Sequence, residues 1–120
     1  MLTAKQVAYE TTKALDAKKG VDIKLLRIDR VSSLADYFII CTGTSNTHVK
    51  TLCDYAELAL ENCGEQLLGR EGHRGNSWEL LDFGTLVVHV FTEEAREFYA
   101  LERLWGDAEQ IDLSGILLPN

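Results

Sequence analysis

The residues of this chain that could carry chemistry are few and scattered. His48, His73 and His89 form no H-x-x-x-H or H-E-x-x-H pair, so no helix presents two imidazoles to a metal. His89 stands among valines, where a hydrogen-bonded core or half-buried imidazole is expected rather than a ligand. Cys41, Cys53 and Cys63 are odd in number, form no C-x-x-C pair and share no catalytic signature with a histidine. They read as small buried thiols in a reducing compartment. No G-x-S-x-G elbow is present. The turn Thr42-Gly43-Thr44-Ser45-Asn46-Thr47 is more suggestive, because a strand, a Gly-hydroxyl turn and a helix start can hold an anion on free backbone N–H groups. It lacks the second glycine of a P-loop, and His48 stands where a lysine is needed. Two readings follow: an anion site on Gly43, Thr44 and Ser45, or a helix cap made by Thr44, Ser45 or Asn46. Phosphoryl transfer would also need neighbouring carboxylates for Mg²⁺. Glu79 and Asp82 are the candidates, and their spacing puts them on opposite faces of a strand. No metal site and no cofactor are expected.

Binding chemistry is richer. Between positions 78 and 105 lie Trp78, Phe98, Tyr99 and Trp105, interleaved with Arg96 and Arg103. Tyr, Trp and Arg are the residue types that anchor protein interfaces, so this stretch reads as a docking surface. Phe98, Leu101, Leu104 and Trp105 fit one helical stripe, with Tyr99 beside it. Such a stripe is also what a core needs, and for Phe98 and Leu101 the two readings are balanced. Trp78, Tyr99 and Trp105 are expected as exposed anchors. Glu93, Glu94, Glu97 and Glu102 give the remaining surface negative charge, relieved by Arg96 and Arg103. The whole chain has 12 basic and 19 acidic residues, 12 − 19 = −7, which excludes the basic stripe of a phosphate-tracking nucleic-acid binder. That balance suits a basic protein partner, or solubility alone.

The elements that must position these residues are legible in outline. Thr3 and Gln6 make a capping box, and Val7, Ala8, Ala14 and Leu15 recur at helical spacing up to Gly20. Residues 22–28 predict a strand in which Leu25-Leu26 breaks alternation through a bulge or burial on both faces. Residues 37–41 and 86–91 are continuous apolar runs, the mark of interior strands. Val49, Leu52, Cys53, Ala56, Leu60 and Cys63 make the stripe of a helix stopped by Gly64. Residues 66–69 suggest a short edge strand, residues 70–77 a loop or mobile hairpin, and residues 78–83 an alternating strand. Thr92 caps a final helix running to Trp105. The 120 residues therefore predict a single α/β domain with a mixed sheet of about five strands flanked by helices. The domain is expected over 1–108, with a tail at 109–120. No stretch has the length of a membrane span or the apolar block of a signal peptide, which predicts a cytoplasmic protein.

Several of these motifs together resemble the ribosomal silencing factor family, also called Iojap-like. They are Asp36-Tyr37-Phe38-Ile39-Ile40-Cys41-Thr42-Gly43-Thr44-Ser45-Asn46-Thr47-His48-Val49, then Glu71-Gly72, Trp78, Asp82-Phe83-Gly84 and Val87-Val88-His89-Val90-Phe91. Arg96-Glu97-Phe98-Tyr99-Ala100-Leu101-Glu102-Arg103-Leu104-Trp105 completes the set. The resemblance runs from about Lys5 to Ala108. It implies an α/β fold related to nucleotidyltransferases without their catalytic carboxylates, and a protein that is not an enzyme. It further implies binding to the fourteenth large-subunit ribosomal protein (uL14) at the intersubunit face, which blocks subunit joining and represses translation when nutrients are limiting. The implied contact residues are Trp78, Asp82, Arg96, Tyr99, Leu101, Leu104 and Trp105. A homodimer through exposed aromatics is expected in the absence of the partner, and neither a membrane nor sequence-specific nucleic acid is expected. The alternative is a nucleotidyltransferase-like enzyme or nucleotide-binding protein using the Gly43-Thr44-Ser45 turn.

Overall fold

The Thr3 hydroxyl accepts from Gln6 N at 3.1 Å while the Gln6 amide oxygen accepts from Thr3 N at 2.9 Å, so the predicted capping box opens the first helix. The computed structural model describes residues 2–73 and 77–115. In it α1 spans Ala4–Ala17 and buries Val7, Ala8 and Leu15. Thr11 and Thr12 are buried on the same helix, and their hydroxyls bond back to Val7 O and Ala8 O at 2.8 Å, which removes the cost of burying them.

The strands are β1 (Val21–Arg27), β2 (Tyr37–Gly43), β3 (Gly69–His73), β4 (Trp78–Asp82), β5 (Leu86–Thr92) and β6 (Glu109–Ile111), in the spatial order β3-β4-β5-β2-β1-β6. β2 and β5 are parallel, and every other pairing is antiparallel. All of β2 is buried, and in β5 only Thr92 is not, as the unbroken apolar runs predict for strands covered on both sides. The doubled leucine resolves as burial on both faces, in regular register with β2, and the one slip of the strand falls ahead of it. Leu25 packs into the core under α1 and α2 (Asn46–Asn62), Leu26 packs on the opposite face, and the register slips between Val21 and Lys24.

Three expectations need correction. The sheet has six strands rather than about five, because Glu109–Ile111 pairs with β1 along Leu25↔Ile111, Leu26↔Gln110 and Arg27↔Glu109. Three residues with two polar side chains carry no strand signal of their own, and the unfilled edge of β1 supplies it. The strand expected at 66–69 lies at Gly69–His73 instead, within the segment read as a loop or hairpin, where it pairs antiparallel with β4. Its pairing with β4 and the ion pairs of Arg70 override a weak β-propensity. Finally, the last helix is broken. α3 covers Glu93–Tyr99 and α4 covers Leu101–Leu104, with Ala100 between them in the left-handed region at φ 47°, ψ 43°. Residues 74–76 of the expected loop and 116–120 of the expected tail lie outside the described residues.

α1 and α2 cover one face of the sheet over a core that includes Leu15, Ile39, Leu52, Leu81 and Val88. On the other face Leu26, Ile28, Phe38, Ile40, Val87 and Phe91 lie beneath the short α3–α4 segment. That thinner cover carries the candidate site.

Candidate docking face

Strand parity assembles this face. Trp78 pairs with Phe91 and Leu80 with His89 across β4 and β5, so Trp78, Leu80, Val87, His89 and Phe91 share one side of the sheet. The hairpin joining them closes with Phe83 N donating to Leu86 O at 2.9 Å. Gly84 takes φ 85° in the turn, and Asp82 Oδ1 accepts from Gly84 N at 2.8 Å. Thr92 caps α3 by accepting from Ala95 N at 3.3 Å, with Glu93 and Glu94 at the positive end of the helix. α3 thereby lays Tyr99 against Trp78, ring centroids 4.6 Å apart, while Trp78 stacks on buried Phe91 at 5.0 Å. Phe98 stands edge-on to Tyr99 at 5.1 Å and is 71% exposed. An aromatic series, Phe91–Trp78–Tyr99–Phe98, thus runs from core to solvent.

The implied contact residues come together on this side with different exposures. Trp78, Tyr99, Leu101 and Trp105 are half-buried against the sheet, and Trp105 meets Phe38 edge-to-face at 5.2 Å. The strongly exposed member is Leu104, at 76%, and Phe98, outside that set, is exposed beside it. Trp78, Tyr99 and Trp105, expected as exposed anchors, are thus only partly exposed: Trp78 packs on Phe91 and Tyr99, and beyond the break at Ala100 Leu101 and Trp105 turn inward while Leu104 turns outward. Asp82 is half-buried and serves the turn.

Arg96 is also corrected as a surface charge. It is 9% exposed, and its guanidinium donates to Asp22 O and Thr42 Oγ1 at 2.8 Å and to Glu102 Oε1 at 2.7 Å. Lys24 joins the same Glu102 at 2.8 Å. The bond from Arg96 first, and that from Lys24, hold the Glu102 carboxyl below the usual range against the opposing effect of burial. Glu93, Glu94 and Glu97 remain exposed, so this end is more acidic than the sequence suggests.

His89 is the residue whose role the sequence understated. It is 4% exposed, accepts from Trp78 Nε1 at 3.3 Å through Nδ1, and lies edge-on to Phe38 at 4.9 Å. Burial pushes its pKa down to about 4, so the ring is neutral near pH 7. Opposite parity of Trp78 and His89 about the Gly84 turn was the available signal, and it needed the register of the hairpin to be read.

At the Gly43-Thr44-Ser45 turn the capping arrangement is present. Ser45 accepts from His48 N at 3.0 Å, and Thr44 N donates to His48 Nδ1 at 2.8 Å. His48 Nε2 then reaches Lys18 O at 2.8 Å, tying the start of α2 to the end of α1. Glu79 and Asp82 do lie on opposite faces: Glu79 is buried beside Arg70 at 3.0 Å, whereas Asp82 shares the side of Trp78. Among the described residues no group of three or more His, Cys, Asp or Glu is placed to hold a metal ion. A cleft of about 730 Å³ beside α3 is lined by Asp22, Glu93, Glu97 and Glu102 with Arg96 and Arg103, a charge balance that repels phosphate. No helix among the described residues is long and apolar enough to cross a membrane.

Comparison with known proteins agrees with this architecture. Residues 1–119 match the family model "Ribosomal silencing factor during starvation", past Ala108, where the motif resemblance ends. The chain is 37% identical to ribosomal silencing factor RsfS of Bacillus subtilis, over 93% of this chain and 95% of that protein. It is 36% identical to the RsfS of Halalkalibacterium halodurans, over 87% of this chain and 89% of that protein. A crystal structure of a Chromobacterium violaceum protein superposes with a TM-score of 0.84 at 35% identity, covering 88% of each chain. A mixed sheet with one thinly covered aromatic face, matched along nearly its whole length, makes this chain a member of the ribosomal silencing factor family.

Proposed function

We propose that this chain is a non-catalytic, cytoplasmic factor that docks its α3–α4 face on uL14 of the large ribosomal subunit. Seated at the intersubunit face, it blocks joining of the small subunit by steric exclusion and so represses translation when nutrients are limiting. The observation that carries this reading is the aromatic series Phe91–Trp78–Tyr99–Phe98 emerging beside exposed Glu93, Glu94 and Glu97. Partly desolvated aromatics supply interface energy, and the acids steer approach to a basic ribosomal surface. Leu101, Leu104 and Trp105 extend the contact along α4. Asp82 and Arg96 support it from below, by holding the hairpin turn and the α3–α4 break. The same apolar face would pair two copies when no ribosome is present.

The test is sedimentation with isolated large subunits, comparing the unaltered chain with Trp78→Ala and Tyr99→Ala. Each truncation of an anchor is expected to cost about 2 kcal/mol, roughly 30-fold in affinity. No co-sedimentation of the unaltered chain at low and moderate salt would overturn the reading. Folded variants that bind normally would move the contact elsewhere.

A further inference from the structure

We infer that His89 is a positioning residue of the docking face, holding the Trp78 indole by its N–H so that Trp78 offers a partner its ring surface alone. This rests on the ribosome-docking reading and adds the chemistry of the contact. Indole has one donor and no acceptor, and here that donor goes to His89 Nδ1 at 3.3 Å. Nδ1 can receive it only when unprotonated, so the neutral ring carries its proton on Nε2. That Nε2 is buried and has no hydrogen-bond partner among the described residues.

The arrangement is costly in stability terms. A valine in this strand position would pack without desolvating an imidazole or leaving a buried N–H unsatisfied. What the imidazole supplies in return is an acceptor fixed in place. His89 is held by burial within β5 and by the Phe38 ring at 4.9 Å. The indole bonded to it is in ring contact with Phe91 at 5.0 Å and with Tyr99 at 4.6 Å. A side chain ordered before binding loses no further freedom on contact, which favours association.

The partner group that fits Trp78 is therefore aliphatic or cationic, packing on the ring, and not a carbonyl or carboxylate accepting from the indole. An alkyl-ammonium or guanidinium stem satisfies both the aromatic face and the exposed acids of α3.

The test follows the two indole N–H resonances of the intact ¹⁵N-labelled chain, assigned with a Trp105→Phe sample, in the unaltered chain, His89→Leu and His89→Asn. Leucine removes the acceptor, whereas the asparagine amide oxygen replaces it near Nδ1. The Trp78 indole signal is expected to move upfield and broaden in His89→Leu and to return toward its original position in His89→Asn. Large-subunit affinity should fall about three- to tenfold in the leucine variant and recover in the asparagine variant. Trp78→Phe keeps a ring and loses the N–H, and should bind far better than Trp78→Ala. An unchanged indole signal in His89→Leu would overturn the positioning role, as would equal binding losses in both His89 variants. A Trp78→Phe chain as weak as Trp78→Ala would overturn the ring-surface contact. Should the unaltered chain fail to bind large subunits, the ribosome reading falls, and the indole comparison still decides what His89 does.

Discussion

Arg96 and Glu102 stand six residues apart on either side of a broken helix, and Arg96 Nε donates to Glu102 Oε1 at 2.7 Å across the break. The bond sets the direction of α4 and so determines which apolar side chains face out. Arg96→Met keeps most of the side-chain stem, strands Thr42 Oγ1 and Asp22 O, and leaves Glu102 with Lys24 alone. We expect a loss of about 3 kcal/mol in urea unfolding, with the Arg96→Met/Glu102→Gln pair losing less than the sum of the singles. Additive losses would show that the two residues act separately.

Ala100 occupies the left-handed region with a Cβ, at φ 47°. Glycine relieves that strain while adding freedom to the unfolded chain, and the first effect is the larger. Ala100→Gly should raise stability by about 1 kcal/mol, read as a higher midpoint of thermal unfolding. A lower midpoint would mean that the break is not strained.

His89 makes stability depend on pH. Its folded pKa of about 4 lies below the ordinary 6.5, so between these values the unfolded chain binds the proton and the folded chain does not. The contribution is complete above pH 6.5 and is lost as pH falls toward 4. Between pH 7 and pH 5 the loss is about 2 kcal/mol, a window above that in which the Glu102 carboxyl titrates. Denaturant unfolding at the two pH values measures it, and His89→Asn should show a correspondingly flatter dependence.

Gly43 ends β2 where the chain passes directly under α2. A Cβ there would lie 2.8 Å from Val49 Cγ2 and 2.9 Å from Val49 N, and backbone cannot yield as a flexible side chain does. Gly43→Ala should destabilise by about 2 kcal/mol, and Gly64→Ala offers a comparison because open space surrounds it but φ is 83°. Equal stability of Gly43→Ala and the unaltered chain would show that α2 can shift outward freely.

By itself the sequence determined what short-range chemistry determines. The capping residues Thr3 and Thr92 act within three residues of themselves, and the apolar runs of β2 and β5 demand burial wherever they are placed, whereas the choice of Ser45 among Thr44, Ser45 and Asn46 came with the structure. The alternation that separates Glu79 from Asp82 is a property of any strand. The aromatic and acidic stretch could be read as a docking surface because its residue types have few other uses together. Tertiary structure decided whatever depends on a partner distant in the chain. Glu109–Ile111 is a strand because β1 has an open edge, and Gly69–His73 is one because β4 and the acids around Arg70 receive it. Arg96 is buried because Asp22 and Thr42, 74 and 54 residues away, turn their oxygens to it. The Trp78–His89 bond likewise exists only in the register that the Gly84 turn imposes. Local preferences extend over a turn or two of chain, whereas a buried polar group is satisfied by whatever the fold brings beside it, and that is where this site acquired its geometry.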